Sequence, residues 1–348
     1  MINTLIVDDS ALARDILRDF LEEEGSFKII GEAADGEEGV RKILSLNPDL
    51  VTLDLEMPGM NGLEVIETVM KKVSVPIVVI SSHDKAKTAY EATLKGALEF
   101  YSKDLFTANL NPEKRKEIYE TLKRISGIKS QKSAAAGETF QIEQPVKRVI
   151  KAVVVASSTG GPKALSRFFS LLGAGFSAPV IIVQHNTPGF DESFAQWLGV
   201  FTGLKVKLAE DGEIPGPGTV YIAQTGKHLE LRLTDTAITG ARTADAQEPV
   251  LRYNNDAPVN NQKPAADVLF RTAAESLKSS VISVVLTGMG NDGAAGTQKV
   301  REMGGVTLAQ DEATSLIYGM PKAAADTGCV DIVLPLDRIP EELVKLTK

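Results

Sequence analysis

The strongest constraint on this chain is a repeated alternation of short apolar runs and helical stretches. NTLIVDD is apolar and ends in acids, and SALARDILRDFLEEEG then carries apolar residues at helical spacing as far as Gly25. FKIIGEA and GEEGVRKILSLN repeat the pair. PDLVTLDLEM precedes a helix over 62–72, VPIVVISS one over about 84–96, and LEFYSKD one over about 111–125. Five successive βα units require a parallel sheet, because each crossover helix returns the chain to the same edge, with helices covering both faces.

From Ser126 to about Lys147 the pattern stops. SGIKSQKSAAAGETFQIEQPVK has little apolar periodicity and reads as a linker. A second α/β pattern begins with VIKAVVVAS, a helix over 162–172, APVIIVQ and a helix near 190–200. Residues 204–262 carry many Pro, Gly and Thr, with short alternating runs such as TVYIAQ and HLELRLTD that predict antiparallel hairpins. A helix over 264–277, VISVVLTG, a helix over 294–303 and VTLAQ follow. The expected fold class is α/β, with two doubly wound parallel-sheet domains. The limits are drawn at 1–122, 123–147 for the linker, and 148–348.

The 348 residues suffice for two such domains. No apolar run reaches the ~18 residues of a membrane span, and MINTLIVDDS lacks the pattern of a signal peptide. Cys329 is the only cysteine, so no intrachain disulfide can form and a cytoplasmic location is expected. A net charge of −8 argues against a nucleic-acid partner.

Ligands of doubly wound sheets bind outside the carboxyl ends of the strands. Asp8 and Asp9 end the first predicted strand, Asp54 the third, Ser81 the fourth and Lys103 the fifth. Clustered carboxylates repel unless a cation joins them, and a hard ion such as Mg²⁺ suits oxygen ligands. Asp54 is left as a carboxylate nucleophile towards a phosphoryl group. One acid alone would be an ordinary loop residue; five groups at the right strand ends are not explained that way.

In the second half, VVVASSTGGPKAL joins a strand to a helix through a Gly turn. Such an elbow raises a serine above the sheet edge, where helix N-terminal amides face a substrate, or it cradles a phosphate. Taken alone, the turn does not choose between catalysis, anion binding and packing. His185 directly follows APVIIVQ, and Asp292 follows VISVVLT within GMGNDG. Ser158, His185 and Asp292 therefore all lie past predicted parallel strands and can meet in one crevice. A hydroxyl needs a base to take its proton, and the base needs an acid to fix its tautomer. Of the other histidines, His228 in TGKHLELRL reads as decorating a hairpin, and His83 lies in the first half. GMGNDG also has the form G-x-G-x-x-G with Asp311 about twenty residues on, but Asp292 would set a fixed carboxylate against a pyrophosphate.

Residues 1–122 resemble a two-component receiver domain, through Asp8-Asp9, D54-L-E-M-P-G-M-N-G62, Ser81 and Lys103. The resemblance implies a flavodoxin-like fold and phosphorylation of Asp54 by a histidine kinase. It implies Mg²⁺ held by Asp9, Asp54 and the Glu56 carbonyl with Asp8 nearby, and phosphoryl contacts from Ser81 and Lys103. Phe100 takes the aromatic switch position. Asp104 stands where receivers usually carry proline. Residues 148–348 resemble the catalytic domain of chemotaxis protein-glutamate methylesterases. The matching stretches are S158-T-G-G161, Q184-H185, P188-G-F190, S193-F194-A195, Y221-I-A223, H228-L229, D267-V-L-F270, L286-T-G-M-G-N-D-G293 and G319-M-P-K-A323.

This second resemblance implies a Rossmann-like domain with an antiparallel hairpin insertion. It places the nucleophile on Ser158 rather than Ser157, with His185 as base, Asp292 as its orienter, Thr159 in support and the Met289 amide as an oxyanion donor. No cofactor is implied for the esterase reaction. The implied substrates are methylated chemoreceptors, with deamidation of receptor glutamines as a second activity. A chemotaxis histidine kinase would be the phosphodonor, and the receiver would cover the esterase cleft until phosphorylated. The chain departs from the family at Asn186-Thr187, Gln224 and Ala265. Those departures motivate one alternative, a weak or inactive scaffold of a chemosensory pathway. A DNA-binding output is opposed by the acidic balance and the lack of a helix-turn-helix pattern.

Overall fold

The computed structural model describes residues 1–82, 86–106, 110–128, 149–234 and 247–348. Most of the expected linker, and His83, lie outside these residues. The chain divides into two units, Met1–Lys132 and Ser133–Lys348.

The first unit runs β1 (Ile2–Val7), α1 (Ala11–Glu23), β2 (Phe27–Ala33), α2 (Gly36–Leu46), β3 (Leu50–Leu53), α3 (Gly62–Met70), β4 (Ile77–Ser81), α4 (Ala86–Lys95), β5 (Glu99–Ser102) and α5 (Pro112–Ser126). The sheet order is β2-β1-β3-β4-β5, and every pairing is parallel. The order reverses between β1 and β3, so a crevice opens beside the residues that end those strands. Side-chain caps start the helices: Ser10 for α1, Asp35 for α2, and Asn61 with Glu64 in a reciprocal capping box for α3. Helix α5 begins with Asn111-Pro112 and continues through Ser126, past residue 122. Its Ile118, Leu122 and Ile125 pack with Leu17, Phe20 and Leu21 of α1 against Ile6 and Val78 of the sheet. The Tyr119 hydroxyl donates to the Phe20 carbonyl at 2.6 Å, which satisfies it inside that layer.

The second unit runs β6 (Ala152–Ser157), α6 (Gly161–Leu172), β7 (Val180–Gln184), α7 (Asp191–Leu198), β8 (Lys205–Leu208), β9 (Thr219–Ile222), β10 (His228–Leu233) and β11 (Pro249–Asn254). It continues with α8 (Ala266–Leu277), β12 (Val281–Val285), α9 (Ala294–Glu302), β13 (Val306–Gln310), α10 (Met320–Asp326), β14 (Ile332–Leu334) and α11 (Ile339–Leu346). Seven strands form one sheet in the order β14-β13-β12-β6-β7-β9-β8, all parallel. Strands β6, β7 and β12 are buried along their whole length, as strands covered on both faces must be.

TVYIAQ corrects one expectation. It is not part of an antiparallel hairpin but supplies β9, parallel to β7 and β8. Its Val220, Tyr221 and Ile222 are all buried, which an inner strand requires and a half-exposed hairpin does not. Lys205 and Lys207 lie on β8, the outermost strand, where lysines discourage pairing with another chain. HLELRLTD does form an antiparallel pair, β10 with β11. No helix among the described residues is long and apolar enough to cross a membrane.

Candidate active site

In the first unit, Asp8, Asp54 and Ser81 are buried and Asp9 is exposed at the crevice. The Lys103 ammonium sits 2.7 Å from Asp8 Oδ2 and 2.6 Å from Asp54 Oδ2. Asp54 Oδ1 accepts from the Ser81 hydroxyl at 3.0 Å and from the Leu55 amide at 2.7 Å. Burial pushes the Asp8 carboxyl above the usual aspartate value, although Lys103 opposes it. Burial also works against the charge on Lys103, but its bonds to Asp54 and Asp8 outweigh that and raise its pKa.

Carboxylate oxygens of Asp8, Asp9 and Asp54 lie within 4.8 Å of one another, with the Lys103 ammonium against Asp8 Oδ2 and Asp54 Oδ2. Three carboxylates this close, with only one ammonium among them, fit a small divalent cation. The Glu56 side chain is exposed outside this cluster, and its amide is 3.4 Å from Asp54 Oδ1. Phe100 is buried with its ring edge-on to Tyr90, centroids 4.9 Å apart. Lys103–Phe106 form a 3₁₀ turn, in which Asp104 Oδ2 accepts from the Ser102 hydroxyl at 3.2 Å.

In the second unit the strand order reverses at β6, whose neighbours are β7 and β12. Three loops leave the carboxyl ends of these strands, and they carry Ser158, His185 and Asp292. Ser157 pairs with Gln184 in the β6–β7 register, which places Ser158 and His185 at the next rung. The His185 amide donates to Ser157 O at 3.0 Å, and the Ser158 amide donates across the other gap to Thr287 O, also at 3.0 Å.

The two adjacent serines have different surroundings. The Ser157 hydroxyl is fully buried and donates to Gln184 Oε1 at 2.7 Å. Gln184 Nε2 donates in turn to the carbonyls of Ser158 (3.1 Å) and His185 (3.0 Å). Gln184 therefore ties the serine loop to the histidine loop. Gly161 is required at this point, because a Cβ there would lie 2.0 Å from Gln184 Oε1. Gly160 adopts φ +75°, and its absent side chain makes room for Leu316. If Ser158 is the nucleophile, replacing Ser157 with alanine is expected to keep the catalytic rate within about threefold. It should cost roughly 1–2 kcal/mol of stability, because Gln184 Oε1 loses its donor; rate and thermal unfolding measured together check this.

His185 Nε2 lies 2.8 Å from Asp292 Oδ2, with both side chains almost fully buried. Nδ1 is buried and has no hydrogen-bond partner. Asp292 also accepts from the Ala266 amide at 2.6 Å and the Asp267 amide at 3.0 Å, the first two amides of α8. Burial disfavours its charge, but the His185 bond, together with these amides, holds its pKa below the usual carboxylate value. The sign follows: Asp292 stabilises the fold above the unfolded-state carboxylate value and loses that contribution as pH falls through its lower folded value. Asp292→Ala is therefore expected to flatten the acid limb of stability against pH, as urea unfolding midpoints would record.

Thr159 is buried, and its carbonyl accepts from the Thr287 hydroxyl at 3.0 Å. The Gly288 carbonyl accepts from the Met320 amide at 2.8 Å, which pins the segment entering Met289. A Cβ on Gly288 would meet Met320 Sδ at 2.4 Å and Ser158 Cβ at 2.8 Å. The G-x-G-x-x-G form thus serves close packing and the placement of Asp292, and Asp311 accepts locally from the Thr314 amide at 2.9 Å.

His228 is not a surface residue of the hairpin. It is fully buried, with Nε2 3.0 Å from Ala257 O and Nδ1 accepting from the Ala265 amide at 3.2 Å. Gln184 and Asp267 lay inside stretches that matched the family, but no sequence signal gave them roles, and Asn260 carried no signal. The family departures make internal bonds: Asn186 Nδ2 is 3.4 Å from Asp191 Oδ1, and Gln224 Nε2 donates to Ala209 O at 3.2 Å.

A crevice of three carboxylates and a lysine on a β2-β1-β3-β4-β5 sheet, joined to an α/β unit with a serine, a histidine and an aspartate at its switch point, has the make-up of a response regulator with an enzyme-like output unit. Comparison with known proteins agrees. Residues 4–112 match the response regulator receiver domain, and residues 153–343 match CheB methylesterase. A Pyrococcus horikoshii protein-glutamate methylesterase/protein-glutamine glutaminase is 36% identical over 99% of this chain and 93% of its own length. A Clostridium acetobutylicum protein of the same description is 37% identical over 100% of this chain and 98% of its own. The crystal structure of the Thermotoga maritima CheB methylesterase catalytic domain superposes with a TM-score of 0.52 at 41% identity, covering 57% of this chain and 98% of that one. The chain belongs to the CheB methylesterase family and carries that family's domain behind a receiver.

Proposed function

We propose that this protein hydrolyses glutamate methyl esters on chemoreceptors through Ser158, His185 and Asp292, and that phosphorylation of Asp54 controls the rate. The observation that carries the reading is the imidazole: Nε2 is held 2.8 Å from Asp292 and Nδ1 is buried without a hydrogen-bond partner, on a residue whose amide bonds to Ser157 O. Nδ1 is then the nitrogen left to act as base.

Ser158 Oγ adds to the ester carbonyl carbon as its proton passes to Nδ1. Asp292 stabilises the resulting imidazolium, and the Met289 amide faces the oxyanion. Collapse breaks the bond to methoxide, which takes the Nδ1 proton and leaves as methanol. Water, deprotonated by Nδ1, then attacks the acyl-enzyme; the acyl–Oγ bond breaks, Ser158 Oγ takes the proton back from Nδ1, and the glutamate is freed. With a glutamine side chain the leaving group is ammonia, in line with the double description of the relatives.

In the receiver, Asp54 is the phosphoacceptor for a chemotaxis histidine kinase, and Ser81 and Lys103 contact the phosphoryl oxygens. Asp8, Asp9 and Asp54, with the Glu56 carbonyl, would hold Mg²⁺, which when bound offsets charge on the transferring group. Phe100 and Lys103 pass the change to the receiver surface, and phosphorylation uncovers the esterase cleft. The reading places the enzyme in the cytoplasm, without nucleic acid and without membrane insertion.

Methanol release from methylated receptor membranes, with and without a small phosphodonor, tests this. Release that rises with the phosphodonor is expected. No release while Asp54 still takes phosphate would overturn the esterase reading in favour of the scaffold. Asp54→Asn is expected to remove the stimulation and leave the basal rate, and removal of residues 1–147 is expected to raise that basal rate. An unchanged rate after removal would show that the receiver does not cover the cleft.

A further inference from the structure

We infer that Asp267 is a positioning residue for Asp292, through an exchange of helix caps between α8 and α9 that the Asn260 side chain closes. The inference rests on the proposed role of Asp292 and names what holds that residue in place.

Neither helix has a side-chain cap from its own N-cap residue, Ala265 for α8 and Gly293 for α9. Each is capped by the acid of the other. Asp292, just before α9, accepts from the Ala266 and Asp267 amides at the start of α8 (2.6 and 3.0 Å). Asp267, in the first turn of α8, accepts through Oδ1 from the Gly293 and Gly296 amides at the start of α9 (2.9 and 2.7 Å). Asn260 Nδ2 lies 2.7 Å from Asp267 Oδ2 and 3.4 Å from Asp292 Oδ1. A Cβ on Gly296 would stand 2.5 Å from Phe270 Cβ, so the two helices approach closely enough for the exchange.

A buried carboxylate and a half-buried one at such proximity repel, and this is the cost of the arrangement. Burial pushes the Asp267 carboxyl up; the Gly296 amide pulls it back, and the charge on Asp292 adds to the rise. Positive helix N-termini offset the repulsion at both acids. An oxygen at Asp267 is therefore needed to hold Gly293, the residue next to Asp292. Without it, the turn that aims Asp292 Oδ2 at the imidazole loses its anchor.

The test uses the full chain, ¹⁵N-labelled at histidine, with Asp267→Ala and Asp267→Asn beside wild type and Ser158→Ala. Methanol release gives kcat and KM, and ¹⁵N shifts report which His185 nitrogen carries the proton, assigned against His185→Gln. Asp267→Ala is expected to lower kcat about 10- to 100-fold, with KM within about twofold, and to mix Nδ1–H into the His185 signal. Asp267→Asn keeps an acceptor oxygen and is expected to recover most of both. Should Asp267→Ala fail to fold, the comparison passes to Asp267→Asn and Asn260→Ala. Asn260→Ala is then expected to show the same kcat loss and tautomer mixing in smaller measure. Unchanged kcat and tautomer in a folded Asp267→Ala, or in Asn260→Ala where that stands in, overturn the inference. Inactive wild type, or full activity in Ser158→Ala, would instead overturn the proposed function.

Discussion

Ser158→Ala is expected to lower methanol release by several orders of magnitude, on the order of 10⁵- to 10⁶-fold in kcat. The residue's bonds to the fold run through its backbone: its amide donates to Thr287 O, and its carbonyl accepts from Gly161 N and from Gln184 Nε2. Loss of the hydroxyl leaves all three in place, so stability should change by less than about 1 kcal/mol. On the proposed mechanism the variant still binds ester but has no atom to attack with. Stopped-assay methanol measurements on a fully folded variant check the pair of outcomes. A variant that retains a tenth of the wild-type rate would move the nucleophile elsewhere, and Ser157, sealed against Gln184, is no substitute.

Asp292→Asn is expected to have the second large effect, a loss of about 10³- to 10⁴-fold in kcat with KM within about threefold. Both oxygens of Asp292 are committed: Oδ2 to His185 and the Ala266 amide, Oδ1 to the Asp267 amide. An asparagine has only one oxygen. If its NH₂ faces Nε2, that nitrogen must become an acceptor and the proton moves to Nδ1, where the base is needed. If the NH₂ turns the other way, it meets the Asp267 amide, donor against donor. Either way the site loses its base or its anchor. Kinetics together with histidine ¹⁵N shifts measure this, and a variant within tenfold of wild type would remove Asp292 from the orienting role.

The two sheets were legible because parallel strands covered on both faces leave apolar runs such as AVVVAS and VISVV, and the helices between them show their buried stripe. The residues of both crevices were legible because they sit at the ends of those runs. β9 was misread because TVYI alternates like a hairpin strand, and its burial depends on partners outside the run. β14, at three residues, is too short to carry a pattern. Asp267 and Asn260 were missed as functional residues for a different reason. Asp267 accepts from amides 26 and 29 positions away, and Asn260 reaches the Asp292 carboxylate 32 positions away; a local pattern holds no trace of that.

The pairing of β6 with β12 joins Ala152 to Val281. A nascent chain therefore exposes Ser158 long before the strand that completes its crevice exists. Loop closure over that span comes late, and Asp292 follows β12 in the sequence. During synthesis the serine waits beside a histidine whose orienting acid has not yet been made. On the proposed mechanism, a chain that stops short of Asp292 is expected to be silent, because the acid bonded to His185 is missing.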